Sequence, residues 1–225
     1  MRLLPRLLES LCRQDYPLLS STKVLVADAG STDGTPELAM TFSRQLRVEV
    51  IPGGLPSVGR NAGARRAQSK YVLFIDADME LKDTTLLRRT MELAERRKLH
   101  CATTNIWCSQ GTLRDNVLYV ANNIAQYGSM LVRPFSTGMF MLFEKAEFDR
   151  LGGFHEGALY AEDYLLSKKV ANWRFGIVRG RIHTTNRRFC NMGHFKIVGM
   201  FLKTMFNTWN EDYFLRDHGY WRQKV

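Results

Sequence analysis

A chain of 225 residues with 45% hydrophobic and 24% charged side chains is ordinary for a globular protein and has room for a real core. Its formal net charge of +10 points to an anionic partner, whether nucleic acid, an anionic membrane or a diphosphate ligand, while the lack of any Lys/Arg block of five or more leaves a nucleic-acid arm unsupported. Cys12, Cys101, Cys108 and Cys190 show no C-x-x-C spacing, which excludes a disulfide frame or zinc site and reads as reduced cytosolic thiols.

The leucines of residues 2–13 recur at helical spacing, so the chain opens on an amphipathic helix that Pro17 stops. No small-residue cleavage site follows it, so it does not read as a signal peptide, and no apolar run reaches the ~18–20 residues of a membrane span. A strand over 22–27 leads into a Gly/Ser-rich turn at 28–36, where Thr35 can cap and Pro36 suits a first helical turn. Helix 37–46, strand 47–51, loop 52–59 and helix 60–69 follow. The central strand is Tyr71-Val72-Leu73-Phe74-Ile75, a β-branched and aromatic run that reads as buried on both faces. Helix 84–98, buried through Leu86, Leu87, Met91 and Leu93, and strand 101–106 continue an alternation that predicts a mostly parallel sheet covered by helices. Past Trp107 come helix 112–132, strand 137–143, helix 144–151, loop 154–160, helix 161–171 and a last strand at 174–178. From Arg179 the tail is basic and aromatic. No internal repeat or low-complexity linker interrupts this single domain.

Asp76-Ala77-Asp78 closes the central strand. If the strand alternation carries on, Asp76 and Asp78 point to one side, where two carboxylates repel and resist desolvation. A divalent cation removes both costs, and hard oxygen ligands suit Mg2+ or Mn2+. Asp28 follows a buried strand and can accept a hydrogen bond from a base edge or ribose, although an Asx-turn explains it as well. Gly54 and Gly59 bracket four residues before Arg60, close to a phosphate loop, but Arg60 stands for its Lys and Asn61 for its Ser/Thr, so that motif is absent. Arg60 lies where a helix start would welcome a phosphate. Glu162-Asp163 opens a helix whose dipole favours the ionised form of a general base. His183 is isolated, and Arg187-Arg188 could clamp a phosphate or be solvated.

The order of these signals is specific. LLESLCRQDYP, VLVADAGSTDGT, GRNAGARRAQSKYVLFIDADMEL and TGMFMLFEKAEFDRLGGFHEGALYAEDYLL together closely resemble the family 2 glycosyltransferases of GT-A type, from near residue 3 to about 190. The resemblance implies an inverting, nucleotide-sugar-dependent transferase with one Rossmann-like α/β domain at 1–190, a nucleotide-sugar half at 1–106, an acceptor half at 107–190 and a C-terminal extension at 191–225. Asp28 matches the aspartate that contacts the base, and Arg60 the arginine near the diphosphate. Asp76 and Asp78 match the Asp-x-Asp, with Asp78 the direct metal ligand. Asp163 matches the catalytic base, with Glu162 beside it on the acceptor side. His183 falls where some members supply a third metal ligand, and HTTNRRF resembles a segment whose arginines, here Arg187 and Arg188, cover the diphosphate.

Two departures stand out. The family opens with a strand of the type I-S-V-I-I-P-x-Y-N before the first helix, whereas Met1 here opens at the helix; the expectation is an upstream in-frame stretch encoding that strand. Ala29 stands where many members carry a second aspartate. The reading is a cytosolic, metal-dependent glycosyltransferase using a nucleoside diphosphate sugar and a glycan or lipid-linked acceptor, with no nucleic-acid partner. Residues 195–209, apolar with Lys196 and Lys203, can lie against anionic lipid or pack as a core helix. The rivals are a non-catalytic protein of the same fold and a phosphate-loop hydrolase.

Overall fold

The computed structural model describes residues 3–216 and 218. Residues 1, 2, 217 and 219–225, including the far end of the expected extension, lie outside them.

Helix α1 (Leu4–Cys12) has Pro5 in its first turn and buries Leu4, Leu7, Leu8 and Leu11. Parallel strands β1 (Lys23–Asp28) and β2 (Arg47–Pro52) flank α2 (Thr35–Met40) and form a two-stranded sheet. Helix α3 (Pro56–Arg66) precedes β3 (Tyr71–Ile75), and α4 (Leu86–Arg97) precedes β4 (Cys101–Cys108). Then come α5 (Leu113–Ser129), β5 (Phe140–Glu144), α6 (Lys145–Arg150), α7 (Glu162–Ser167) and β6 (Phe175–Thr184). The described tail forms α8 (Arg187–Met192), α9 (His194–Phe206) and α10 (Glu211–Leu215).

The second sheet has the order β3-β5-β4-β6. The predicted parallel alternation holds for β1/β2 and β4/β6, but β5 runs antiparallel to both β3 and β4. The reason is that the chain between β4 and β5 does not cross back over the sheet. It starts and finishes at the carboxyl ends of β3 and β4, so α5 and the loop before Phe140 sit at the end where such sheets bind ligands. Among the described residues the strands thus form two separate sheets, with β1, β2, β3 and β6 each paired on one side only.

Strand β6 continues past the predicted end at residue 178. Gly180, at φ 150°, accompanies a register shift opposite Thr104/Asn105, after which His183 pairs with Trp107. Arg179 and Arg181 interrupt the apolar pattern, which is why the run looks finished too early. The core is centred on the second sheet, with Phe140, Phe143 and Phe175 almost fully enclosed and the rings of Phe74, Phe148 and Phe154 packed at 5.0–5.6 Å. No described helix is long and apolar enough to cross a membrane.

Candidate active site

The strand geometry expected for Asp76 and Asp78 does not occur. Strand β3 ends at Ile75, and the Met79 N–H donates to the Asp76 carbonyl at 3.1 Å, closing a turn over the acidic pair. A turn, unlike a strand, frees the two carboxylates to face different partners. Asp76 turns to Arg60 and Asp78 to Arg187.

Arg60 braces the centre. Its guanidinium donates to Asp76 Oδ1 and to Glu162 Oε1, each at 2.6 Å, and to the Gly138 carbonyl at 3.3 Å. It also lies 5.2 Å from the centroid of the Phe154 ring. Burial works against its charge, but Asp76, Glu162 and Asp163 outweigh that and push its pKa up. The expected helix start at residue 60 is corrected here: Pro56 opens α3 four residues earlier, which sets Arg60 one turn inside it. The same shift makes the would-be phosphate loop helical. Two carboxylates thus hold the Arg60 guanidinium, which gives it a bracing role in this structure. Glu162, expected on the acceptor side, is likewise held by Arg60.

Asp163 is fixed at both oxygens, Oδ1 by the Tyr164 N–H at 2.7 Å and Oδ2 by the Gly138 N–H. Burial raises its pKa; Arg60 and the two N–H donors pull the other way without cancelling it. Glu162 is raised too, by burial and then by the charge of Asp163. The pull expected from the helix dipole does not offset the burial of Asp163. Helix α7 spans 6 residues, and desolvation at its enclosed first turn exceeds a dipole that short. Ala161 turns the chain into it at φ 53°, a left-handed conformation costing on the order of 1 kcal/mol.

The side chain of Asp78 is 23% exposed and accepts from Arg187 at 3.2 Å. Burial and then Asp76 raise its pKa, while Arg187 and Arg188 lower it. His183 Nδ1 lies 2.6 Å from Ser109 Oγ, and burial followed by Lys82 pushes its pKa down, favouring neutral imidazole. Among the described residues no three His, Cys, Asp or Glu side chains converge to hold a metal, so the expected set of Asp76, Asp78 and His183 is not assembled. Asp78 alone fits a hard cation, because Mg2+ is commonly held by one or two carboxylates plus substrate phosphates. Asp28 Oδ2 accepts from the Gly30 and Ser31 N–H groups at 2.9 and 2.8 Å. Hydrogen bonding with Ser31 holds its carboxyl below the usual range, so an Asx-turn is present at the end of β1.

Sequence reading overlooked Gly138. A Cβ there would stand 2.4 Å from an Arg60 nitrogen, and its backbone serves both Arg60 and Asp163. The signal was the Thr-Gly before a strand that was expected to start at 137 but starts at Phe140. A cavity of about 390 Å³ was also out of reach; Arg60, Asp76, Glu162 and Asp163 line one end, and α5 and α9 much of the rest.

Comparisons with known proteins show the family and the fold. The family model described as Glycosyl transferase family 2 matches residues 2–152. Poly(ribitol-phosphate) beta-N-acetylglucosaminyltransferase TarS of Staphylococcus aureus is 33% identical over 84 residues, 36% of this chain and 14% of that protein. The uncharacterized glycosyltransferase YibD of Escherichia coli is 32% identical over 109 residues, 47% of this chain and 30% of YibD. The chain thus spans under a third of either relative. The fold resembles S. aureus TarS 1–349 in complex with UDP-GlcNAc (TM-score 0.62, 20% identity, 82% of this chain and 55% of that one). It also resembles mannosyltransferase PcManGT from Pyrobaculum calidifontis in complex with GDP-Man and Mn2+ (TM-score 0.67, 20% identity, 91% and 60%).

Proposed function

The chain belongs to glycosyl transferase family 2, and from that premise we propose that it transfers a sugar from a nucleoside diphosphate sugar to an acceptor hydroxyl with inversion. The observation that carries this is Asp163, an enclosed carboxylate oriented by two backbone N–H groups beside a cavity. In the proposed step Asp163 takes the acceptor hydroxyl proton. The oxygen attacks the anomeric carbon as the bond to the diphosphate breaks on the opposite face, so one displacement inverts the configuration. Arg60 holds Asp76 and Glu162 around the base. Asp28, at the end of β1, is assigned to the nucleotide, with residues 1–106 as the nucleotide-sugar half, 107–190 as the acceptor half and 191–225 as an extension. Arg187 and Arg188 are assigned to the diphosphate, which Arg187 meets by leaving Asp78.

A divalent cation, Mg2+ or Mn2+, held by Asp78 and the substrate, supplies charge neutralisation for the leaving diphosphate when bound. The donors in the neighbouring structures, UDP-GlcNAc and GDP-Man, support the class of donor without choosing its base. Asp78→Ala is expected to lower transfer about 100-fold, the scale of losing one charge-stabilising group. Full activity of the wild type in chelator would overturn the metal assignment.

The outer side of α9 and the turn after it support a peripheral contact with an anionic membrane on the cytoplasmic face. Phe195, Phe206 and Trp209 are 97%, 83% and 77% exposed, beside Lys196 and Lys203. Vesicles containing anionic lipid are expected to carry the protein upward in flotation and neutral vesicles to leave it behind. Phe206→Ser with Trp209→Ser should abolish the capture; protein that stays in solution with both lipids would refute it.

A further inference from the structure

Helix α9 is a roof over the cavity, tied down by polar and aromatic contacts at its ends. At its start His194 Nε2 meets Asp115 Oδ1 at 2.6 Å, joining it to the first turn of α5. Near its end the Thr204 hydroxyl donates to the Tyr160 hydroxyl at 2.9 Å, in the loop that leads into α7 and Asp163. Just beyond the end Arg133 stacks over Trp209 at 4.1 Å. Between these ties the roof turns Ile197, Val198 and Phe201 to the cavity, facing Leu118 and Phe135. None of the residues of α9 is fully buried. Apolar side chains that face across a cavity instead of filling it leave surface whose covering is favourable. The cavity, about 390 Å³, falls in the ~300–1,000 Å³ range of small-molecule sites.

The two ends of the cavity differ in chemistry. Asp163, Glu162, Arg60 and Asp76 stand at one. A sugar chain lying against Ile197, Val198 and Phe201 would bury hydroxyls that these side chains cannot pair. A chain of methylenes would not.

On the transferase reading above, we propose that the acceptor is an amphiphile. Its hydroxyl-bearing head sits at Asp163, and its single apolar chain lies between α5 and α9. The cavity is continuous with the reacting centre, so chain length acts on acceptor binding and not on the donor.

The probes are methyl, hexyl, octyl and dodecyl β-glucosides, each below its micelle concentration. Binding to the full chain is measured by calorimetry without donor. Transfer is measured as release of nucleoside diphosphate, using the donor that most raises the melting temperature. Affinity and kcat/KM are expected to rise about fourfold per methylene, the fold-change that ~0.8 kcal/mol of methylene burial gives, until the cavity is full. Val198→Trp, which fills the space from the roof, should flatten that dependence while donor binding stays the same. Ala121→Phe, from the α5 wall, replaces it should that variant not fold. Equal binding of methyl and octyl glucosides, or a slope unchanged in a folded plugging variant, would overturn the proposal, as would equal transfer to the two glucosides. Chain-length-dependent binding in a protein that no nucleoside diphosphate sugar stabilises would retain the apolar site and remove the transferase reading beneath it.

Discussion

Replacing Asp163 by Asn is expected to lower sugar transfer ~10²–10⁴-fold, the usual worth of a general base. Asn matches Asp in size and can keep its carbonyl oxygen on one of the two N–H donors that orient the residue, but it cannot take a proton. Donor affinity, assigned to Asp28 and Asp78, should hardly move. Burial of the wild-type carboxylate adds a second readout. An acid whose pKa is raised keeps its proton to higher pH, so activity should fall as pH drops through a value above the ~3.9 of an ordinary Asp. Because Glu162 and Asp163 interact, that limb of the kcat/KM profile belongs to the pair. Asp163→Asn should lose the limb. A variant that transfers at near wild-type rate removes Asp163 as the base; equal loss of donor binding makes its role structural and turns attention to Glu162.

Arg60→Met should be the most destabilising change at the site. It preserves length and removes the cation that, among the described residues, touches both Asp76 and Glu162. Breaking a buried pair costs roughly 3–5 kcal/mol, and the 31% exposure of the Asp76 side chain favours the lower end. At ~2–4 °C per kcal/mol for a domain of this size, the melting temperature should drop by about 6–12 °C at neutral pH. The pH dependence follows from the direction of the shifts. Without Arg60 the buried acids hold their protons to higher pH in the folded state than in the unfolded chain. Folding then takes up protons, so acidification narrows the gap between variant and wild type. A melting temperature within a degree of wild type at neutral pH would mean that Arg60 is no brace. Transfer should also fall, because Asp76 and Glu162 are no longer held in place around Asp163.

Much of this was legible in the residues. The apolar run at residues 71–75 is β3 to the residue. The alternation through residue 106 placed β1, β2, β3 and β4 in order, because a strand buried on both faces must be apolar throughout and a covering helix must repeat at 3.6. The carboxylates at 76, 78, 162 and 163 announced themselves as acids at the ends of apolar elements.

What tertiary structure alone decided concerns partners and solvent. Arg60 meets acids 16 and 102 positions away, and no periodicity encodes such a pairing. The direction of the Asp163 shift depends on how much water the whole surroundings exclude, whereas the local argument saw only the helix dipole. Strand β5 runs antiparallel because the chain after β4 stays at one end of the sheet, and direction leaves no mark on a strand's own composition. Helix α9 was ambiguous between a core helix and an interfacial one because an apolar helix with two lysines suits both. In the fold its inner side chains line a cavity and its outer ones meet solvent. Local pattern follows from each residue's own preference for backbone and burial. The chemistry of the site is set by distances between residues far apart in the chain, and those exist only once the sheet is formed.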